Sequence, residues 1–371
     1  MRWKHSILRN AGLALALAFA PQAVADPVSA RGSRLEAFAP RPATEARLNF
    51  DGWDTTLGEI VLRGGPGLRR RLPEPQQTAT RIPLGHTTPF RLEGNRIPFE
   101  FLHREHRSTL TAMRDEFEAT AERADIAALA RDEQLAFWMN FHNVLVVEAL
   151  ASDYPIRRPS RVRAEDGTAF HDTERVTVRG ERLSLRDIRD LVMTHWPEPL
   201  VMYGFFRGDI GGPSLHHRAF TGSDVRRELR ANATEYANSL RGFNTTWGEP
   251  RVSEVYFEAA PLLFPGGDVD IRSHLRDVLS DDLVEDLDST PGPLRAVRYD
   301  TIIADLTAGR DIRQSPARVL GEAGGSRSNV DSFMIEREQK RRELRRRGAG
   351  TVTIDDIPTE DLSDEAPTPP R

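Results

Sequence analysis

The chain has 371 residues, 39% apolar and 29% charged, which is enough material for one large core in an ordinary soluble composition. A formal net charge of -5 excludes general nucleic-acid binding, which needs a basic face. The absence of cysteine excludes disulfides, thiolate metal sites and any thiol nucleophile.

The first segment, 1–25, reads as a signal peptide. Arg2, Lys4 and Arg9 give a basic start, 11–20 an apolar core, and Ala23-Val24-Ala25 a small-x-small cleavage site. That core is too short to span a bilayer, and no later stretch is long and apolar enough. The mature protein is therefore expected to be periplasmic or secreted, with no transmembrane segment after cleavage. Segment 26–48, rich in Ala, Pro and Arg, reads as an extended arm.

A single globular domain is expected over 49–306. Trp53, Leu57, Ile60 and Val61 have helical spacing. The Pro- and Gly-bearing run 64–95 reads as a long surface excursion. An amphipathic helix is predicted over 99–124, with His106, Leu110, Met113, Phe117 and Ala121 on one face. The stretch 135–150, LAFWMNFHNVLVVEAL, is an apolar helix without a polar face, so it is expected to be buried all round, with Asp132 as its N-cap. A hairpin turning at Arg179-Gly180 follows, then a short helix capped by Ser184. An apolar strand near 201 runs into the loop 207–214. Thr221 with Asp224 opens the next helix, whose inward stripe is Val225, Leu229, Ala233, Tyr236 and Leu240. A strand at 254–259, one helix over 271–287 and a strand-like piece at 297–306 complete the domain. The remainder, 307–371, is dense in Gly, Ser and charge, then acidic and Pro-rich. It reads as a largely disordered tail.

Long helices alternating with short, mostly hairpin-connected strands give an α+β class, with helices packed on a small, mostly antiparallel sheet. Candidate ligand-binding residues fall in two places. Trp138, Asn140 and Asn143 lie on the apolar helix, and Arg207, Asp209, Gly212 and Ser214 lie in the Gly-rich loop. The two Asn amides read first as a structural network, because buried amides need partners, and second as groups that orient a ligand. His142 reads as a satisfied core residue. In the loop, glycines allow close backbone approach, Arg207 offers a planar fork for an anion and Asp209 a carboxylate. The bland alternative is a tight turn with a local Arg-Asp pair. Ser214, His216 and His217 lack the GxSxG elbow, and His103 with His106 lacks a third metal ligand, so no metal and no cofactor are expected.

Three segments together resemble the domain-of-unknown-function 547 family. They are Ala136-Phe137-Trp138 with Asn140 and Asn143, Leu183 to Ile188 after the hairpin, and Pro213-x-Leu215 followed by Ala219-Phe220-Thr221. Ser253-x-Val255-x-Phe257 and Tyr299-Asp300 are further echoes. Many members carry a Cys where this chain has Gly212 and a His where it has Met202, and the acidic residue after the SL-x-x-I run is here Arg189. With those residues present, the resemblance implies a distant papain- or transglutaminase-like relation. Their loss favours a non-catalytic binding or scaffolding module of the cell envelope, taking a small molecule, peptide or envelope polymer. The alternative is a cysteine-independent hydrolase or transferase acting at 207–214.

Overall fold

The computed structural model describes residues 34–72, 85–297, 301–310 and 325–346. The signal peptide, the start of the arm and the Tyr299-Asp300 echo lie outside the described residues. Helices α1 (Asp51–Ile60), α2 (Arg104–Arg123) and α3 (Arg131–Asp153) open the domain. Helix α3 is the centre. Its residues from Glu133 to Val147 are all buried, as the lack of a polar face requires. Phe117 of α2 stacks on Phe141 of α3 at 5.6 Å, and Trp138 meets Phe38 of the arm edge-on at 5.5 Å. One continuous core cluster takes in residues from Leu35 to Ala308.

Strands β1 (Glu174–Val178) and β2 (Glu181–Ser184) form an antiparallel hairpin. Arg179 and Gly180 both have positive φ, 50° and 82°, the primed turn whose twist matches paired strands. Ser184 ends the hairpin and caps α4 (Leu185–His195): its Oγ accepts from Asp187 N, and Asp187 Oδ2 accepts from Ser184 N. The second sheet joins β3 (Phe243–Asn244), β4 (Arg251–Ser253) and β5 (Arg295–Val297). Its first pair is antiparallel and its second parallel. The class is α+β, with the strands split between two small sheets rather than gathered into one.

Several elements differ from the sequence reading. Residues 254–259 are not a strand but the start of α6 (Glu254–Leu263). Ser253 Oγ accepts from Val255 N, and Val255, Tyr256, Ala259 and Leu263 are the buried set, a helical spacing that the run of aromatic and β-branched residues concealed. Pro199–Gly204 is a 3-10 helix where a strand was expected. The single helix over 271–287 is two, α7 (Asp268–Val278) and α8 (Asp281–Ser289). Helix α3 begins with Ala130 at its cap, while Asp132 forms an ion pair with Arg226 of α5 (Val225–Ala237) at 2.8 Å. His106 is exposed. The run 64–95 is no mere surface excursion, because Leu68, His86, Leu92 and Glu93 are buried.

Within 307–371, residues 325–346 form α9 (Gly325–Arg346), which is seated on that run. Phe333 packs with Leu92 and Leu306, and Lys340 Nζ donates to Leu92 O at 2.7 Å. Arg91 forks onto Glu336. A helix that is polar in sequence is thus docked by one aromatic, one buried lysine and a few ion pairs.

Candidate functional site at the Gly-rich loop

The two Asn side chains of α3 hold the backbone leading into and out of the loop. Asn143 Nδ2 donates to Gly204 O at 2.9 Å, and its Oδ1 accepts from Phe206 N at 3.0 Å. Asn140 does the same at the far end, donating to Phe220 O at 2.8 Å and accepting from Phe220 N at 3.0 Å. Each amide thus donates one bond and accepts one from the backbone of the same irregular segment. Trp138 is in the aromatic core and not at the loop.

Between these anchors the loop is held from below. Arg241, fully buried, donates to Ile210 O and Gly212 O and pairs with Glu235. Tyr236 OH donates to Gly211 O at 2.9 Å. Asp209 Oδ1 accepts from Gly212 N at 2.8 Å, an acidic side chain closing its own turn. Ser214 Oγ receives Asn95 N and donates to Glu235, while His216 lies against Glu228. No Ser-His hydrogen bond is formed among the described residues. Gly208 has φ 86°. A Cβ at Gly212 would be tight against the Arg207 side chain, 3.0 Å from its Cδ, so that side chain would have to give by a few tenths of an ångström.

Arg207 does not meet Asp209 in a local pair. Its fork reaches Glu258 of α6, with Nη1 to Oε2 at 2.7 Å and Nη2 to Oε1 at 3.3 Å. Burial opposes both charges, yet each wins. The carboxylates of Glu258 and Asp209 hold Arg207 above its ordinary value, and the guanidinium of Arg207 holds Glu258 below the usual carboxylate range. The pair is an ion pair, not a proton-transfer couple. The cleft beside it, lined by Arg207, Asp209, Gly212, Ser253 and Glu258 among others, has about 40 Å³ open to water. That is room for water-sized species rather than a drug-sized ligand.

The sequence treated Arg189 only as a departure from a family pattern, yet it is the most exceptional charge here. It is 8% exposed, on α4, and its guanidinium has no hydrogen bond or ion pair with any described residue. Burial, with the neighbouring charges of Arg207 and Arg186, pushes it down to about 10 against the opposing charges of Glu258 and Asp190. Those two neighbours are committed, Arg207 to Glu258 and Arg186 to Asp172. Two imidazoles share the surroundings. His142 Nδ1 lies 3.2 Å from Asn143 Oδ1, an acceptor, so that nitrogen carries the proton and Nε2 is a buried lone pair with no partner. His171 Nδ1 is likewise buried and unpartnered. Burial first, then the charge of Arg189, pushes His142 down to about 3 and His171 well below its ordinary value, so both are neutral at pH 7. The reading of His142 as fully satisfied thus holds for one nitrogen only. Arg189 and Glu258 were missed for one reason. They come together only because α4 and α6 pack side by side, and α6 had been read as a strand.

The architecture defines an α+β domain built on a buried helix whose amides organise an irregular loop. Residues 126–237 match the family model DUF547, described as a protein of unknown function. The matched stretch contains α3, both Asn anchors, Arg189 and the whole Gly-rich loop. No curated protein and no solved structure matches the chain.

Proposed function

We propose that this protein is a non-catalytic binding module of the cell envelope that takes an anionic group of a small molecule, peptide or envelope polymer at Arg189. One observation carries the reading: a buried guanidinium without a hydrogen bond or ion pair to any described residue, acted on by the carboxylate of Glu258, which is itself bonded to Arg207. A desolvated cation of this kind is costly unless an anion reaches it, and a guanidinium suits a carboxylate or phosphate. The hydrolase or transferase reading draws no support from Arg207 and Glu258. Their shifts lock both charges in place, the opposite of a pair tuned to exchange a proton near pH 7. Export to the periplasm or beyond is part of the proposal and rests on the basic, apolar and Ala-Val-Ala segments of 1–25.

The test is titration calorimetry of the mature protein with inorganic phosphate and with acetate at low salt. Saturable binding that Arg189→Gln removes, while Arg207→Gln only weakens it, supports the assignment. Unchanged affinity in Arg189→Gln, or no saturable binding of either anion, refutes it. The N-terminal sequence of secreted or periplasmic material should begin at Asp26. Retention of the whole chain in the cytoplasm would sink the export proposal.

A further inference from the structure

Away from the loop, a second cavity opens between the Pro199–Gly204 turn, α5, the end of α6 and α7, with about 380 Å³ of space, within the range of small-ligand sites. Its walls are of two kinds. Leu200, Leu263, Phe264 and Val278 give an apolar side. Leu262 and Val269, each next in sequence to a lining residue, are large apolar side chains left exposed at 39% and 73%. The polar side is made by Glu198, Asp270, Asp277, Arg230 and His274.

The charges in that lining are not equally available. Glu198 forms an ion pair with Arg226. Asp270 Oδ2 accepts from Gly266 N at 2.6 Å. Arg230 donates to the backbone oxygen of Asp277 at 3.4 Å. The carboxylate of Asp277 has no hydrogen bond or ion pair with any described residue. His274 adds a fixed acceptor. It is 6% exposed, and its Nε2 lies 2.8 Å from Tyr203 OH. Tyr203 gives its one proton to Tyr256 OH at 3.1 Å, so its oxygen receives the Nε2 proton of His274. The other ring nitrogen, Nδ1, is then a lone pair with no hydrogen bond to any described residue, on a residue that lines the cavity.

A cavity that offers a spare carboxylate, a fixed imidazole lone pair and an apolar wall is matched by a ligand that brings hydrogen-bond donors, a positive charge and a hydrocarbon body. We propose that this cavity is a binding site for a small primary ammonium compound with an apolar body, its ammonium held by Asp277 and His274 Nδ1 and its hydrocarbon part against Leu263, Phe264 and Val278. Ammonium supplies three donors for exactly such acceptors and no acceptor to oppose them. A carboxylate of the same shape would face these two acceptors and a lining in which the carboxylates of Glu198, Asp270 and Asp277 outnumber the one cation, Arg230. The site is independent of Arg189 and stands or falls without it.

The experiment titrates the mature protein with 3-methylbutylammonium and, as the charge-reversed probe, 4-methylpentanoate, by calorimetry or by ligand-detected NMR. Asp277→Asn is the decisive variant. The side chain is exposed and holds nothing in the fold, so circular dichroism should show it folded. The expected result is saturable one-to-one binding of the ammonium, at least about 5-fold weaker in Asp277→Asn, the scale of about 1 kcal/mol for a partly exposed charge pair, with no binding of the carboxylate. Equal binding of both probes, no saturable binding of the ammonium, or an affinity that Asp277→Asn leaves unchanged would each overturn the proposal.

Discussion

Asn143→Ala is the sharpest probe of the network that organises the loop. The side chain serves three buried groups: Gly204 O, Phe206 N and the Nδ1 proton of His142. Alanine leaves all three without a protein partner in the buried interior, since Asn143 is 2% exposed. Each stranded group costs about 1–3 kcal/mol, but relaxation of the irregular loop and an admitted water recover part of it. A net loss of about 3 kcal/mol is the working figure. In a domain of this size, about 2–4 °C of melting temperature follows each kcal/mol, so Tm should fall by roughly 6–12 °C. Asn140→Ala strands only the two backbone groups of Phe220 and should cost less, about 2 kcal/mol. The assay is thermal unfolding followed by circular dichroism, with Ser108→Ala as a control, because Ser108 bonds only an exposed carbonyl one turn back. Equal, small shifts for all three variants would refute the argument that these amides hold the loop.

Two further outcomes follow from buried titratable groups. Both carboxylate oxygens of Glu100 are buried without a partner, and burial, aided by the charge of Asp305, pushes its pKa up to about 8. The folded protein then keeps a proton that the unfolded chain releases above about pH 4.5, so stability falls as pH rises from about 4.5 to about 8. The upper bound is about 5 kcal/mol at 1.36 kcal/mol per unit, and Glu100→Gln should flatten that slope in urea unfolding; an unchanged slope would show that Glu100 ionises freely. Lys340 is the opposite case. Burial pushes it from 10.5 down to about 8, so the unfolded chain holds more protons between those values and stability rises with pH across them. Lys340→Met should remove that rise and stabilise α9 on the body at pH 7 by up to about 3 kcal/mol, less the bonds lost to Leu92 O and Gly65 O. The check is proteolytic susceptibility of α9 at neutral pH, and faster cleavage in the variant would contradict it.

Periodicity and local chemistry made some of this legible in advance. The burial of α3, the Arg179-Gly180 turn and the Ser184 cap each depend on residues within one or two turns of each other, and the structure has all three. So do the Asn amides, whose need for partners follows from their place in an apolar helix even though the partners do not. The α+β class followed from the alternation of elements, but the division of the strands into two sheets did not, because pairing of β4 with β5 joins residues about forty positions apart.

What the sequence determined by itself was therefore the central helix, its buried polar groups and the glycine-bearing loop, since helical period, capping and the cost of burying an amide act locally. What only the tertiary structure decided was which charges are spent. Arg207, read either as a fork for an anion or as a local partner of Asp209, is held by Glu258 of a helix the sequence read as a strand, and Arg189, unremarkable in its own helix, is the cation left without an ion pair. Lys340 and Phe333 looked like parts of a solvated tail and are seated against Leu92, some two hundred and fifty positions earlier. Coulomb energy and burial depend on distances in space that no spacing along the chain encodes, so pairing, unlike helicity, had to wait for the packed molecule.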